Sequence, residues 1–412
     1  MANIHPFQPY RYSSKAGQLE NLVTQPYDKI SPAMQARYLS LSPHNLVRVI
    51  LGERFSSDTD QENVYTRAAQ FLNDWIRTGL LVRESEPSFY AYFQEFSLPD
   101  SSEKLQRKGF IGLCTLEKYS KGIVHRHEQT LTGPKKDRTE LLRHTGAHFG
   151  QIFMLYPDPA LAVDNLLDEA AQTAPTARVT DEYGTEHRIW KISDPERTAQ
   201  IKSLMADKKL LIADGHHRYE TALAYRNANP QLEDASKVMM TFVNMHSPGL
   251  RILATHRLVN GLDGFDAASF RSKVHTRPLA SIEELKAVFS KPALDKVRIG
   301  ITLAGSPQIH LYERNRNHGE LDVKILHEYL LGEVLGISEE AVREEKHLEY
   351  VRGADAAYNK MRDGSAQAGF LLEPTTIQQV ADVAFSGGVM PQKSTDFYPK
   401  LLTGLAIYKL EK

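Results

Sequence analysis

The chain of 412 residues contains one cysteine, Cys114, which excludes an internal disulfide and any thiolate-rich metal centre. Cys114 lies in an apolar stretch predicted as a strand, so packing rather than reactivity is expected of it. No apolar run approaches the roughly 18–20 residues of a membrane span. The first residues, Met1-Ala2-Asn3-Ile4-His5-Pro6, hold neither a basic start nor an apolar stretch, so no secretory signal is expected and the cytoplasm is the expected location. An excess of one charge is lacking too, since 50 Lys+Arg face 51 Asp+Glu for a formal charge of -1. A protein dedicated to nucleic acid or to anionic membranes would carry a basic surplus. Gly-x-Gly-x-x-Gly, Gly-x-Ser-x-Gly and His-Glu-x-x-His are all missing. Nothing therefore supports a Rossmann dinucleotide site, a nucleophile elbow or a zinc helix.

What is present is ordinary globular chemistry, 41% hydrophobic and 25% charged. The length suggests at least two cores. Helical spacing from Asn63 to Ile76 puts Val64, Ala68, Phe71, Leu72 and Trp75 on one face. Strands are predicted at 88–93, 109–113, 151–156, 188–192, 209–213, 238–243, 252–257 and 297–303, and near Phe370. Helices are predicted at 195–206, 322–331 and 355–361, and a polar loop over 124–138 leads into a helix from about Thr139. The expected fold is α+β, with mixed sheets and helices in two lobes. Residues 1–262 form the first lobe and 263–412 the second, with the turn Gly261-Leu262-Asp263-Gly264 as the boundary.

The sharpest local pattern is Leu211-Ile212-Ala213-Asp214-Gly215-His216-His217-Arg218-Tyr219. An apolar strand ends at an acid, a glycine permits a tight turn, and a helix follows whose inner face is Tyr219, Ala222 and Leu223. His216, His217 and Arg218 then occupy the first helical turn, where cations oppose the macrodipole. A bound anion resolves that conflict, because backbone N–H groups and Arg218 can grip phosphate oxygens together. The alternative is that Asp214 only caps the helix and the histidines are solvated or packed. Adjacent histidines point about 100° apart on a helix, which argues against joint metal ligation.

Other strings carry chemistry less sharply. His125-Arg126-His127-Glu128-Gln129-Thr130, followed by Lys135-Lys136-Asp137-Arg138, could supply a general base and charge-neutralising cations, or be a solvated loop with a cap at Asp137. His144 and His148 have i, i+4 metal-ligand spacing on the following helix but no third ligand, so a helix face explains them better. Lys393-Ser394-Thr395, after Ser386-Gly387-Gly388, suits phosphate cradling without being a Walker loop. Pro26-Tyr27-Asp28 reads alone as a turn, and His256-Arg257 is a lesser basic candidate.

Asp214-Gly215-His216-His217-Arg218 resembles the phosphate-binding motif of the ParB/sulfiredoxin superfamily as it occurs in free-serine kinases. Sulfiredoxin chemistry needs a cysteine in that motif, whereas histidine stands there in this chain. The chain as a whole resembles the bacterial and archaeal family named domain of unknown function 1015, often labelled ParB-like. The pieces that match are Ile4-His5-Pro6-Phe7, Pro26-Tyr27-Asp28, Arg126 to Thr130 with Lys136-Asp137-Arg138, the Asp214 motif, Ser247-Pro248-Gly249-Leu250 with Thr255-His256-Arg257, and Met390 to Thr395 with Tyr398-Pro399-Lys400. The resemblance implies a ParB/sulfiredoxin-like core with large insertions, since the motif lies far later than in compact ParB-like domains. It also implies a phosphotransferase that uses ATP or ADP with Mg²⁺ on a small hydroxylated metabolite such as free serine. Glu128, Asp214 and His216 would then be catalytic, with Glu128 or Asp214 taking the acceptor proton. Gly215, His217, Arg218, Lys393, Ser394, Thr395 and Lys400 would hold phosphate, with the Lys393 loop closing the site. Asp28, His127 and Arg138 would contact the substrate, and no metal ligand is assigned. Two other classes stay open: a ParB-like nucleotide-binding protein associated with DNA, which the neutral charge argues against, and a non-catalytic phosphate-ligand module.

Overall fold

The stretch Lys237–Asn244 (KVMMTFVN) is buried along nearly its whole length, as a strand covered on both faces must be. It lies inside a nine-stranded mixed sheet in the computed structural model, which describes residues 2–99, 101–128, 132–306 and 308–411, the side chains of 132–134 excepted. Gln129 and Thr130, part of the acid–base–hydroxyl string, fall outside the described residues. The strand order is Val124–His125, Leu210–Asp214, Ile152–Tyr156, Lys237–Asn244, Lys104–Thr115, Phe89–Ser97, Glu186–Ile192 and Ala177–Thr180, with Ile4–His5 pairing with Lys104–Thr115. Two pairings are parallel, Leu210–Asp214 with Val124–His125 and Lys237–Asn244 with Ile152–Tyr156; the others are antiparallel. On one face Val238, Met240 and Phe242 meet Ile201 and Met205 of the helix Pro195–Met205, and Tyr219 and Ala222 of the helix His216–Ala228. A second core gathers Ala68, Leu72 and Trp75 of the helix Val64–Arg77 with Leu141, Phe149 and Ile407. That helix opens on a capping box between Asn63 and Thr66, which fixes its start where the apolar spacing predicts it.

The α+β reading with mixed sheets holds. The chain divides into two compact units, one of Met1–Arg126, Thr130–Leu250 and Pro399–Lys412, the other of His127–Gln129 and Arg251–Tyr398. The division falls at Leu250/Arg251 rather than at the Gly261–Gly264 turn, because Thr255–Val259 is an interior strand of the second unit's sheet. That sheet is six-stranded and wholly antiparallel, with Ile282–Phe289 and Ala354–Arg362 packed through Leu285, Ala357 and Met361. The predicted strand over 252–257 is broken at Ala254 into Arg251–Leu253 and Thr255–Val259, which join different sheets. Pro399–Lys412 returns to the first unit, so Lys400 belongs there while Lys393, Ser394 and Thr395 belong to the second.

Cys114 is buried in its strand, and burial pushes its thiol up to about 12, in keeping with a packed residue. The helix expected from about Thr139 starts earlier, as Thr132–Thr145, because Pro134 falls in its first turn, where proline is tolerated.

Within the first unit, a Cβ placed on Gly249 would stand 1.9 Å from the backbone oxygen of Gln106. Only a residue without a side chain lets the Ser247–Leu250 turn lie so close to the Lys104–Thr115 strand. Gly249→Ala should lower the unfolding free energy by about 3 kcal/mol, the upper part of the range for overpacking. Urea unfolding followed by circular dichroism checks this, and an unshifted midpoint contradicts the close approach.

Candidate functional site

The strand Leu210–Asp214 loses register against Ile152–Tyr156 at its end, with Ile212 opposite Met154 and Asp214 opposite Phe153. Ala213 is thus the extra residue of a bulge, a device that re-aims the side chain following it. Gly215 then takes a left-handed backbone, φ 98° and ψ 27°, which a side chain would resist. Its missing Cβ also makes room for Arg218, whose guanidinium carbon would lie 3.1 Å from such an atom. The helix His216–Ala228 starts at once, so His216, His217 and Arg218 do occupy its first turn. Asp214 is not its cap, since the N-cap residue is Gly215 and makes no side-chain bond.

Asp214 is instead the centre of a charge cluster. Lys400 Nζ lies 3.7 Å and Arg218 Nη2 3.6 Å from its Oδ2. Burial pushes the carboxyl upward, but Lys400, Arg218, Lys29 and His216 outweigh it and hold the group well below the usual carboxylate range. Arg218 is also fixed by donating Nη1 to the backbone oxygen of Gln151. Its guanidinium packs against Gly150 and Gly215. Beside it is a cavity of about 60 Å³ lined by Tyr27, Ile50, Leu141, Phe149, Arg138 and Arg218. Arg138 is buried, stacks 4.0 Å from the centre of the Tyr27 ring and donates Nη1 to Ile50 O at 2.9 Å. Asp28 is exposed in the short turn Tyr27–Lys29, 3.9 Å from Lys29 Nζ, and its charge acts on both Tyr27 and His217. His217 is lowered from the ordinary histidine value chiefly by burial, so it is neutral at pH 7.

The first unit therefore brings together Asp28, Arg138, Asp214, Gly215, His216, His217, Arg218 and Lys400. Sequence reasoning missed Lys29, which acts on Asp214, and Lys135, which acts on His217 and pairs with Glu220. Their one signal was adjacency to the Pro26–Asp28 and Asp137–Arg138 strings. Gln151, which anchors Arg218 through its backbone, has no sequence signal.

The other five candidates lie in the second unit. His127 is fully buried, with Nε2 2.8 Å from Thr395 Oγ1 and its ring edge-on to Phe397. Its backbone oxygen accepts from Met390 N at 2.7 Å, and Glu128 bridges to Met390. Ser394 is buried and donates to Pro391 O, while Lys393 has φ 57° and lies 3.6 Å from Glu345. Arg257 is buried too and donates Nη2 to Lys393 O at 2.9 Å, which makes it a strut for the Lys393 loop. His256 accepts from Leu372 N at 3.1 Å and is pushed down to about 4 by burial. His144 and His148 do not share a helix, because the helix Thr132–Thr145 ends between them. His148 sits on a short strand, stacked on Tyr408. Among the described residues no three His, Cys, Asp or Glu side chains form a metal-binding group. No described helix is long and apolar enough to cross a membrane.

The sequence model of the family described as "Protein of unknown function (DUF1015)" matches residues 4–328 of the 412. The chain belongs to this family. The matched stretch includes the whole Asp214 motif and ends before Lys393 and Lys400. No curated protein matches the chain. Similar solved structures include a free serine kinase variant in complex with AMP, 11% identical, covering 70% of this chain and 89% of that chain at a TM-score of 0.39. A conserved hypothetical protein from Pyrococcus furiosus is 13% identical over 67% of this chain and 87% of its own, with a TM-score of 0.34. C-terminally truncated SbnI from Staphylococcus aureus is 9% identical over 72% and 87%, with a TM-score of 0.37.

Because the folded-state value of Asp214 is depressed, its contribution to stability is present above the unfolded value near 3.9 and fades as the pH falls through the folded one. Asp214→Asn should cost about 1–3 kcal/mol at pH 7, discounted for a side chain one quarter exposed. The gap between the two proteins should stay constant from pH 7 to about 5 and close in stronger acid. Denaturant unfolding across that range checks it, and a gap that widens in acid contradicts the pairing.

Proposed function

We propose that the first unit binds the phosphates of a nucleotide at the Asp214–Arg218 turn and transfers a phosphoryl group to a small hydroxylated metabolite, free serine being one such acceptor. The observation that carries this reading is the convergence of Arg218 and Lys400 on one helix N-terminus, beside a largely apolar cavity that Arg218 itself lines. A helix N-terminus favours an anion, and guanidinium and ammonium groups supply the charge-assisted hydrogen bonds that phosphoryl transfer relies on. The apolar wall of Tyr27, Ile50, Leu141 and Phe149 suits the flat body of a base rather than a bare phosphate. The resemblance of Asp214-Gly215-His216-His217-Arg218 to the free-serine kinase motif points the same way.

Within this reading the residues divide the work. Arg218, Lys400 and Lys29 neutralise phosphate charge. Asp214, held ionised between cations, orients them and is a weak proton acceptor, because a base works best with a value near the working pH. Asp28, exposed beside His217, is the better placed carboxylate to take the acceptor's proton. Mg²⁺ is commonly held by one or two carboxylates together with phosphate oxygens and water. With Asp28 taking the proton, Asp214 is the carboxylate that would serve, and the ion would neutralise charge on the transferring group.

Incubation of the purified protein with ATP or ADP, Mg²⁺ and a pool of amino acids should yield a phosphorylated product. Arg218→Ala should weaken nucleotide binding at least about tenfold, the value of a charge-assisted contact, with an intact circular dichroism spectrum. Nucleotide bound without turnover makes the unit a binding module, and an unchanged dissociation constant removes Arg218 from the site.

His217 gives a pH signature. It is neutral at pH 7, and a bound phosphate dianion would raise its value, so binding takes up a proton. Affinity should therefore rise as the pH falls from 8 to 6, and His217→Gln should flatten that slope. Calorimetry in buffers of different ionisation enthalpy measures the uptake directly.

A further inference from the structure

Lys400 reaches Asp214 from a segment whose backbone is pinned by buried side chains of the large sheet. Gln94 Nε2 donates to Lys400 O at 2.8 Å, and Gln94 Oε1 accepts from Arg107 Nε at 3.0 Å and from Nη2. The same guanidinium donates to Pro399 O at 2.5 Å and lies 4.5 Å from the centre of the Phe153 ring. Arg107 and Gln94 are each 1% exposed. Two residues on, Leu402 N donates to Tyr92 OH at 3.2 Å, and Leu402 O accepts from Gln151 Nε2 at 3.1 Å. Tyr92 OH lies 2.7 Å from His187 Nδ1, and His187 Nε2 lies 3.1 Å from Asp181 Oδ2. Asp181, held ionised, can only accept, so Nε2 carries the ring proton and Nδ1 accepts from the Tyr92 hydroxyl. Burial lowers His187, consistent with that neutral tautomer.

A buried arginine is costly unless its donors are used. Burial brings Arg107 down to about 9, with Tyr92 and Asp214 acting against that fall. Its visible use is to grip Gln94 and the carbonyl just before Lys400. We infer that Gln94 and Arg107 are positioning residues for the phosphate site: they fix the backbone at Pro399–Lys400 so that the lysine side chain, 10% exposed, is held against Asp214. Tyr92, held by His187, secures the same segment two residues further on, at Leu402. None of them touches a ligand in this scheme, which in its affinity arm rests on the nucleotide reading above.

Gln94→Glu separates positioning from folding. Glutamate keeps an acceptor for Arg107, now with a charge, but replaces the N–H donor to Lys400 O with a repelling oxygen. Acylation of the folded protein with a water-soluble lysine reagent, quantified by mass spectrometry against exposed Lys104, reads the environment of Lys400 without any ligand. Gln94→Glu should speed Lys400 acylation about tenfold and weaken ATP binding by a similar factor, the scale of one lost hydrogen bond to a buried carbonyl. Tyr92→Phe, which removes the acceptor of Leu402 N, should move acylation in the same direction by less and serves where the first variant is poorly folded. A purely structural role would lower the melting temperature and leave Lys400 acylation at the wild-type ratio. That result in both variants overturns the inference. If the wild-type protein binds no ATP, the nucleotide reading fails while the acylation arm still decides this one.

Discussion

The ionised carboxylate of Asp214 is the group around which the first unit is arranged. A carboxylate withdrawn from water raises its own proton affinity unless cations stand close by. Here Lys400 and Arg218 stand at 3.7 and 3.6 Å, and neither comes from the strand that carries Asp214. Arg218 is supplied by the helix that follows, which requires the bulge at Ala213 and the left-handed Gly215 to swing the chain round. Lys400 is supplied by the end of the chain, which requires that Pro399–Lys412 leave the second unit and return. One charge thus imposes a local turn and a long-range closure together.

The closure explains why so many polar side chains lie inside an otherwise apolar sheet. Gln94, Arg107, Gln151, Thr241 and His187 are all buried. Unpaired, each would cost a few kcal/mol, yet each is engaged, and the first three bind carbonyls of the returning segment or of its anchor. An apolar core would have been as good a filler for the sheet but could not have gripped a peptide that makes no ladder with it. The buried network is better understood as the fastening of the returning segment than as a source of net stability.

The local half of this design was legible in the sequence and the long-range half was not. Leu211 to Tyr219 announces strand, tight turn and helix through a fixed order of apolar run, acid, glycine and buried Tyr219, and it folds that way. The membership of Lys400 in that cluster could not be read, because spacing along a chain says nothing about which distant segment pairs. The Lys393–Lys400 string suggested one phosphate loop, but the chain changes unit between Tyr398 and Pro399, which assigns Lys400 to the first unit and Lys393 to the second. The His144/His148 spacing misled for a related reason. Gly146 takes a left-handed backbone at φ 57°, so the helix stops and the i, i+4 geometry never forms. Gln94 and Arg107 carried no signal at all, since a polar residue in a strand normally marks a solvent face.

The near-zero charge of the chain then acquires a physical meaning. The ion pairs about Asp214 are longer than hydrogen bonds, so they hold charge in place without filling the directional positions of Arg218. Under the proposed reading, a phosphate oxygen takes those positions while Asp214 stays where it is, and Arg218, already fixed by Gln151 O between Gly150 and Gly215, loses little freedom on binding. Two cations gathered by one carboxylate keep a local positive surplus, within a chain of near-zero total charge, and are oriented in advance. A surface track for a polyanion needs a surplus of charge; a pocket for one small anion needs only that its few cations be held still.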